Sequence, residues 1–194
     1  MTKERVTTTD QLGQLPIMLE EAKAHVKITG DEEDELLRSY LQGAFEWATE
    51  STRRAIVQRE YLVTRDDFPV STWELPLGRV ASIVSVKYID ADGLLQTWTG
   101  SPLPYEVDLD TDFAPRLRPR RTESWPITGD FLSAAQVTLT AGWTQQNIPF
   151  TIRSGILLKF AELEQGRAPG DPDGEAIASA ASMMLNNWTL PIWN

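Results

Sequence analysis

The sequence predicts an α+β fold, in the main a helical bundle that carries an inserted antiparallel β region. Three observations predict it. Apolar residues recur at helical spacing up to about residue 54, they alternate in steps of two from about 57 to 143, and the helical period returns past Pro149. With 194 residues and 41% hydrophobic content, the chain is long enough for one compact domain that removes roughly 70% of its unfolded surface from water.

Taken in order, residues 1–15 form a polar lead with no apolar run behind it, and are expected to be flexible. Pro16 can open a helix, and Leu19, Ala22 and Val26 share one face, which predicts a helix over 16–27. Thr29-Gly-Asp-Glu-Glu-Asp-Glu35 then supplies a break and a first turn of acids that a helix dipole favours. Leu37, Tyr40, Leu41, Ala44, Phe45 and Ala48 continue that helix to about 54, a rod of about 36 Å.

From Val57 the period becomes two. Tyr61 and Val63 alternate with polar neighbours, as do Val84, Val86 and Tyr88, then Tyr105, Val107 and Leu109, and last Val137, Leu139, Ala141 and Trp143. Asp92-Gly93 is the dipeptide a tight hairpin prefers. The Pro- and Arg-rich stretch 112–129 predicts a long exposed loop or arm. Ile152, Ile156, Phe160 and Leu163 predict a helix over 149–165, and Gly166 to Gly174 breaks it before a last helix over 174–186. The expected organisation is one domain, 1–194. In it 16–56 and 148–186 are the helical part, 57–147 the β insertion with an arginine-rich arm, and 187–194 a C-terminal tail.

Composition excludes several functions. The chain has no cysteine, which removes disulfides, thiolate metal sites and thiol nucleophiles. A formal charge of -10 repels nucleic acid at long range. No run approaches the ~20 apolar residues of a membrane span, so a soluble, unprocessed chain made in a cytoplasm is expected.

Sites of chemistry are scarce. His25 is the one histidine and lies on the polar side of the first helix, so a triad or metal site would rest on it alone. Asp108-Leu-Asp-Thr-Asp112 resembles the start of a calcium loop, but Phe113 stands where glycine is needed and Pro119 where the bidentate glutamate belongs. Phosphate-cradling and nucleophile-elbow motifs are missing from the sequence. No cofactor, no metal and no enzymatic activity are expected.

Two features instead suggest contacts. Arg116, Arg118, Arg120 and Arg121 place four guanidinium groups within six positions of an acidic chain; they suit DNA phosphates or an acidic partner surface, or else pair with nearby acids. The tail from Trp188 through Leu190, Pro191, Ile192 and Trp193 carries large apolar side chains next to the chain end, the usual anchors of a docking segment; the alternative is a tail folded back on the chain's own helices.

The order of segments resembles the head-tail connector, or adaptor, proteins of long-tailed bacteriophages and gene transfer agents. The matching pieces are Leu19-Glu-Glu-Ala-Lys-Ala-His-Val26 with Asp31-Glu-Glu-Asp-Glu35, then Leu75-Pro-Leu-Gly-Arg-Val80 leading into Ile83 to Gly93. Tyr105-Glu-Val-Asp108, Ser124-Trp-Pro126, Val137 to Trp143 and Ile148-Pro149 follow in the same order. The resemblance implies a ring homo-oligomer, a dodecamer, whose helical part builds the wall. It implies seating between the portal protein and a tail-side stopper or tail terminator protein at the head-tail interface of a virion, with DNA passing through the centre. It also implies that Trp188, Leu190, Pro191, Ile192 and Trp193 face the portal. The longer lead and the arginine arm depart from the commoner pattern. The alternative reading is a soluble binding module with a peptide or small-molecule groove on the β insertion.

Overall fold

The structure, a computed structural model, describes residues 4–8, 15–109, 115–165 and 172–190, with side chains from 175 onward in the last stretch. Its strands are β1 (Arg5–Thr8), β2 (Arg59–Arg65), β3 (Trp73–Glu74), β4 (Val80–Ile89), β5 (Leu95–Thr97), β6 (Tyr105–Asp108), β7 (Arg116–Pro119) and β8 (Ala135–Ala141). Its helices are α1 (Leu19–His25), α2 (Asp34–Thr52), α3 (Phe150–Gln165) and α4 (Pro172–Asn186). The chain divides into two compact units, one of residues 1–11 and 58–142 and one of residues 12–57 and 143–194.

The expectation of a mainly helical bundle with helices at 31–54, 16–27, 149–165 and 174–186 and an inserted β region at 57–143 is corrected here. The protein is 34% helix and 26% strand, with two antiparallel sheets. The physical reason is that the alternating segments bury a core of their own. One sheet runs β1-β2-β8-β4-β5 and the other β3-β7-β6. In the first, Val63, Val137 and Val86 lie side by side across three strands, with Tyr61 beside Leu139. The three valines and Leu139 are wholly buried and Tyr61 nearly so. Two irregularities in the β4–β8 pairing, at Val80/Ser82 and Ile83/Ser85, leave Ala81 and Val84 out of register, and both are exposed.

Residues 5–8, expected within a flexible lead, form β1 and pair with β2 from Arg5↔Thr64 to Thr8↔Tyr61. Arg-Val-Thr-Thr has one apolar residue and all four positions are exposed, so no burial period announces it. Glu4 holds this end down by accepting a 2.6 Å hydrogen bond from the Trp73 indole.

The β unit also uses three of the seven tryptophans, Trp73, Trp98 and Trp125. Phe68 stacks on Trp125 at 4.7 Å and meets Trp73, Tyr88 and Trp98 at 6.0–6.5 Å; Trp98 in turn packs on Tyr105 and Trp125. Each such pair contributes about 0.5–1.5 kcal/mol beyond its buried area.

In the helical unit, Leu37, Leu41, Ala44, Phe45 and Ala48 form the buried stripe of α2, and Ile152, Ile156 and Phe160 form that of α3. Gly155 lets α4 come close, since a Cβ there would sit 2.9 Å from the Leu185 side chain. Lys23 of α1 bonds Asp31 at 3.0 Å and Asp34 at 2.7 Å, fixing the turn before α2. Arg153 of α3 reaches back to Glu21 of α1 at 2.6 Å. α2 stops at Thr52, where Arg53 takes a left-handed conformation with φ 55°.

Leu139→Ala should cost about 3 kcal/mol by leaving a cavity in the first sheet's core, whereas Val84→Ala, at an exposed bulge, should stay within about 0.5 kcal/mol. Urea unfolding of the two variants checks the contrast.

Candidate functional site

The tail expected to dock elsewhere is, as far as Leu190, bound to its own helical unit. Once α2 ends, its last carbonyls need donors. The Leu190 N–H donates to the Thr52 carbonyl at 3.0 Å and the Thr189 hydroxyl to the Ser51 carbonyl at 3.3 Å. Arg53 returns a bond to the Leu190 carbonyl at 3.0 Å, and Arg54 donates from Nε to the Trp188 carbonyl. Arg54 is 1% exposed and also lies over the Trp188 ring, 5.7 Å from its centre.

Trp188 is half-buried. Its indole donates to the Thr151 hydroxyl at 2.8 Å, and its ring meets Trp143 edge-on at 5.7 Å. Leu190 is 2% exposed, a core residue. Pro191, Ile192 and Trp193 lie outside the described residues.

The four arginines fall at and just beyond β7, where a long loop was expected. Leu117 points into the unit and is fully buried, and it pairs with Trp73 on one side and Val107 on the other. Alternation then puts Arg116 and Arg118 on the open face. Arg116 stands between Glu74 and Asp108 and bonds Asp108 at 2.6 Å; Arg118 stands opposite Glu106 and bonds it at 3.0 Å. Arg120 donates to the Leu103 carbonyl at 2.6 Å and lies 4.0 Å from Glu106. Arg121 is exposed. Cross-strand acid pairs therefore neutralise part of the charge that made this segment stand out. They are exposed and individually weak.

A third surface was not picked out from the sequence. The β4–β5 turn and the loop at 127–134 are joined backbone to backbone, by Gly129 N–H to the Ile89 carbonyl and Ile89 N–H to the Ala134 carbonyl. A side chain at Gly129 would collide with the Asp90 carbonyl and the Phe131 ring, so only glycine permits the approach. On this rigid tip Ile127 is 88%, Leu132 71%, Leu94 59% and Phe131 45% exposed. The available signal was four large apolar residues placed in turn segments where polar ones are the rule.

Asp90 shapes the turn. Its carboxylate accepts from Gln96 Nε2 at 2.7 Å and from the Leu94 and Asp92 amides at 2.9 and 3.0 Å. The Gln96 bond, then the Leu94 amide, hold its pKa below the ordinary 3.8.

His25 is exposed, and among the described residues no cluster of His, Cys, Asp or Glu could hold a metal. No described helix is long and apolar enough to cross a membrane.

The described residues thus offer an exposed apolar tip, an ion-paired strand and a clamped tail, and no cluster that could hold a metal. Residues 16–78 match the family model described as Phage gp6-like head-tail connector protein. In fold the chain is similar to a chain in the virion of a native gene transfer agent (GTA) particle, with TM-score 0.79 and 18% identity over 97% of both chains. It is also similar to chains from the neck of a native GTA particle computed with C12 symmetry (TM-score 0.78, 17% identity) and of an empty GTA particle computed with C6 symmetry (0.76, 18%), each over 98% of this chain and 97% of the other. No curated protein matches the sequence. The likeness to head-tail connectors read from the residues is thus found in a family model and in the fold.

Two predictions follow from this geometry. Leu190→Ala should destabilise the helical unit by about 3 kcal/mol in denaturant unfolding, as a core truncation does. A depressed carboxylate pKa contributes stability that is present above pH 3.8 and lost as pH falls through the folded-state value. Amide exchange at Leu94 should therefore speed up on acidification below 3.8, beyond the intrinsic pH trend, and Asp90→Asn should abolish that extra dependence.

Proposed function

We propose that this chain is a structural connector subunit at the head-tail interface of a tailed phage or phage-like particle, forming a ring between the portal protein and a tail-side stopper or tail terminator. The observation that carries the reading is the fold likeness over almost the whole of both chains to chains from the neck and the virion of GTA particles, joined to the connector match at 16–78. The C6 and C12 symmetries of those necks support a ring homo-oligomer, with the dodecamer as the expected form.

In this reading the protein is not an enzyme and needs no cofactor. It supplies shape and surfaces, and DNA passes through transiently without sequence-specific contact. The net charge of -10 suits such passage by disfavouring adhesion to phosphates.

The tail has two roles. Trp188 and Leu190 fasten the segment to α2, and Pro191, Ile192 and Trp193, which follow directly, present apolar groups to the portal. Arg116, Arg118 and Arg120, already matched by carboxylates or a carbonyl, suit a protein neighbour better than a DNA backbone.

Light scattering with negative-stain imaging tests the proposal on the purified chain, alone and mixed with its portal. A ring, or a collar on the portal, is the expected result. A monomer indifferent to the portal would overturn it and favour a free-standing binding module.

A further inference from the structure

The tip built from the β4–β5 turn and the 127–134 loop has no part in the fold that requires its apolar groups to be exposed. Ile127, Leu132, Leu94 and Phe131 are 88%, 71%, 59% and 45% exposed. A patch of this kind on a rigid support marks an interaction site. The support is rigid because Asp90 fixes the turn, the Thr128 hydroxyl donates to Asp67 at 2.9 Å, and the Ser133 amide donates to Asp66 at 2.9 Å. Beside these groups lies a depression of about 470 Å³ lined by Asp66, Asp67, Asp130, Phe131 and Leu132 among others.

The charge around the patch selects its occupant. Asp66, Asp67, Asp92 and Asp130 give it an acidic rim, so a fitting surface is apolar with guanidinium or ammonium groups beside it. The same chain carries such a surface. Leu103 is 46% exposed where Arg120 binds its carbonyl, and the exposed Arg121 follows directly. Within the sheet Glu74, Glu106 and Asp108 already meet Arg116 and Arg118, so the cation offered to a neighbour is the exposed Arg121 just past β7. A closed ring needs two different, mutually complementary patches on each copy. An aromatic ring beside carboxylates also receives a guanidinium well.

We infer that the acidic apolar tip of one copy seats against the arginine strand of a second copy of this chain, Asp130 and Leu132 meeting Leu103 and Arg121. The inference rests on the ring reading above and names one contact within it. It assigns the arginines to protein and not to DNA.

A cysteine-free chain allows a direct test. Leu132→Cys and Arg121→Cys are made separately, mixed, assembled with or without the portal, and oxidised. A disulfide joining the two variants, and not either one to itself, is expected. In parallel, Asp130→Arg and Arg121→Asp should each weaken association about tenfold, and the double variant should recover most of it. Ile127→Ser, at the most exposed tip position, should weaken it without lowering the melting temperature.

Rings that form with no such disulfide and tolerate all these changes would overturn the contact and leave the connector reading standing. Arg121→Asp that spares ring mass but impairs DNA retention, with Asp130→Arg silent, would overturn it in favour of a DNA contact. A chain that never associates, with or without the portal, would overturn both.

Discussion

A buried guanidinium governs the helical unit. Arg54 is almost wholly removed from water, and a charge in that position is costly unless acceptors and a polarisable surface meet it. The Trp188 carbonyl and ring supply both. That pairing brings residues 185–190 back along the end of α2, where Leu190 and Thr189 satisfy carbonyls that the helix leaves open. Leu190 then becomes a core side chain, and Trp188 closes on Trp143. Remove the guanidinium, and the Trp188 carbonyl and ring lose the partner that holds them beside the end of α2.

The β unit is organised by a different constraint. Three antiparallel strands, β2, β8 and β4, bring valines into one row, and the aromatic cluster around Phe68 fills a second region of the same unit. Trp73 links the second sheet to this cluster and, through Glu4, to the chain's first strand. The open face of β7 is thereby committed to charge, because Leu117 takes the buried side.

Much of this was legible in the residues, for reasons that can be named. The stripe Leu37, Leu41, Phe45 and Ala48 gave α2 to within a few residues, and Asp92-Gly93 gave the hairpin turn, where Gly93 has φ 79°. The acid run was read as helix from 31, but residues 31–33 form a turn and only Asp34 and Glu35 enter the first helical turn. The balance of the fold is not legible in the residues, because alternation shows that strands exist without showing how much core they enclose. β1 has no apolar period because its stability comes from pairing with β2, and β7 reads as loop because Pro115 precedes it and Pro119 ends it. In the tail, the apolar groups were visible but their partner was not: Arg53 and Arg54 lie 137 and 134 positions away from the carbonyls they hold, and no local period encodes that distance.

The tail as far as Leu190 belongs to the core of the helical unit, so any docking starts beyond it. Hydrogen exchange of the Leu190 amide tests this most directly, because that amide's acceptor is the Thr52 carbonyl. Protection comparable to that of the Ile156 amide in α3 is the predicted result. Exchange at the rate of an unstructured chain end would contradict it and return Trp188 and Leu190 to the surface.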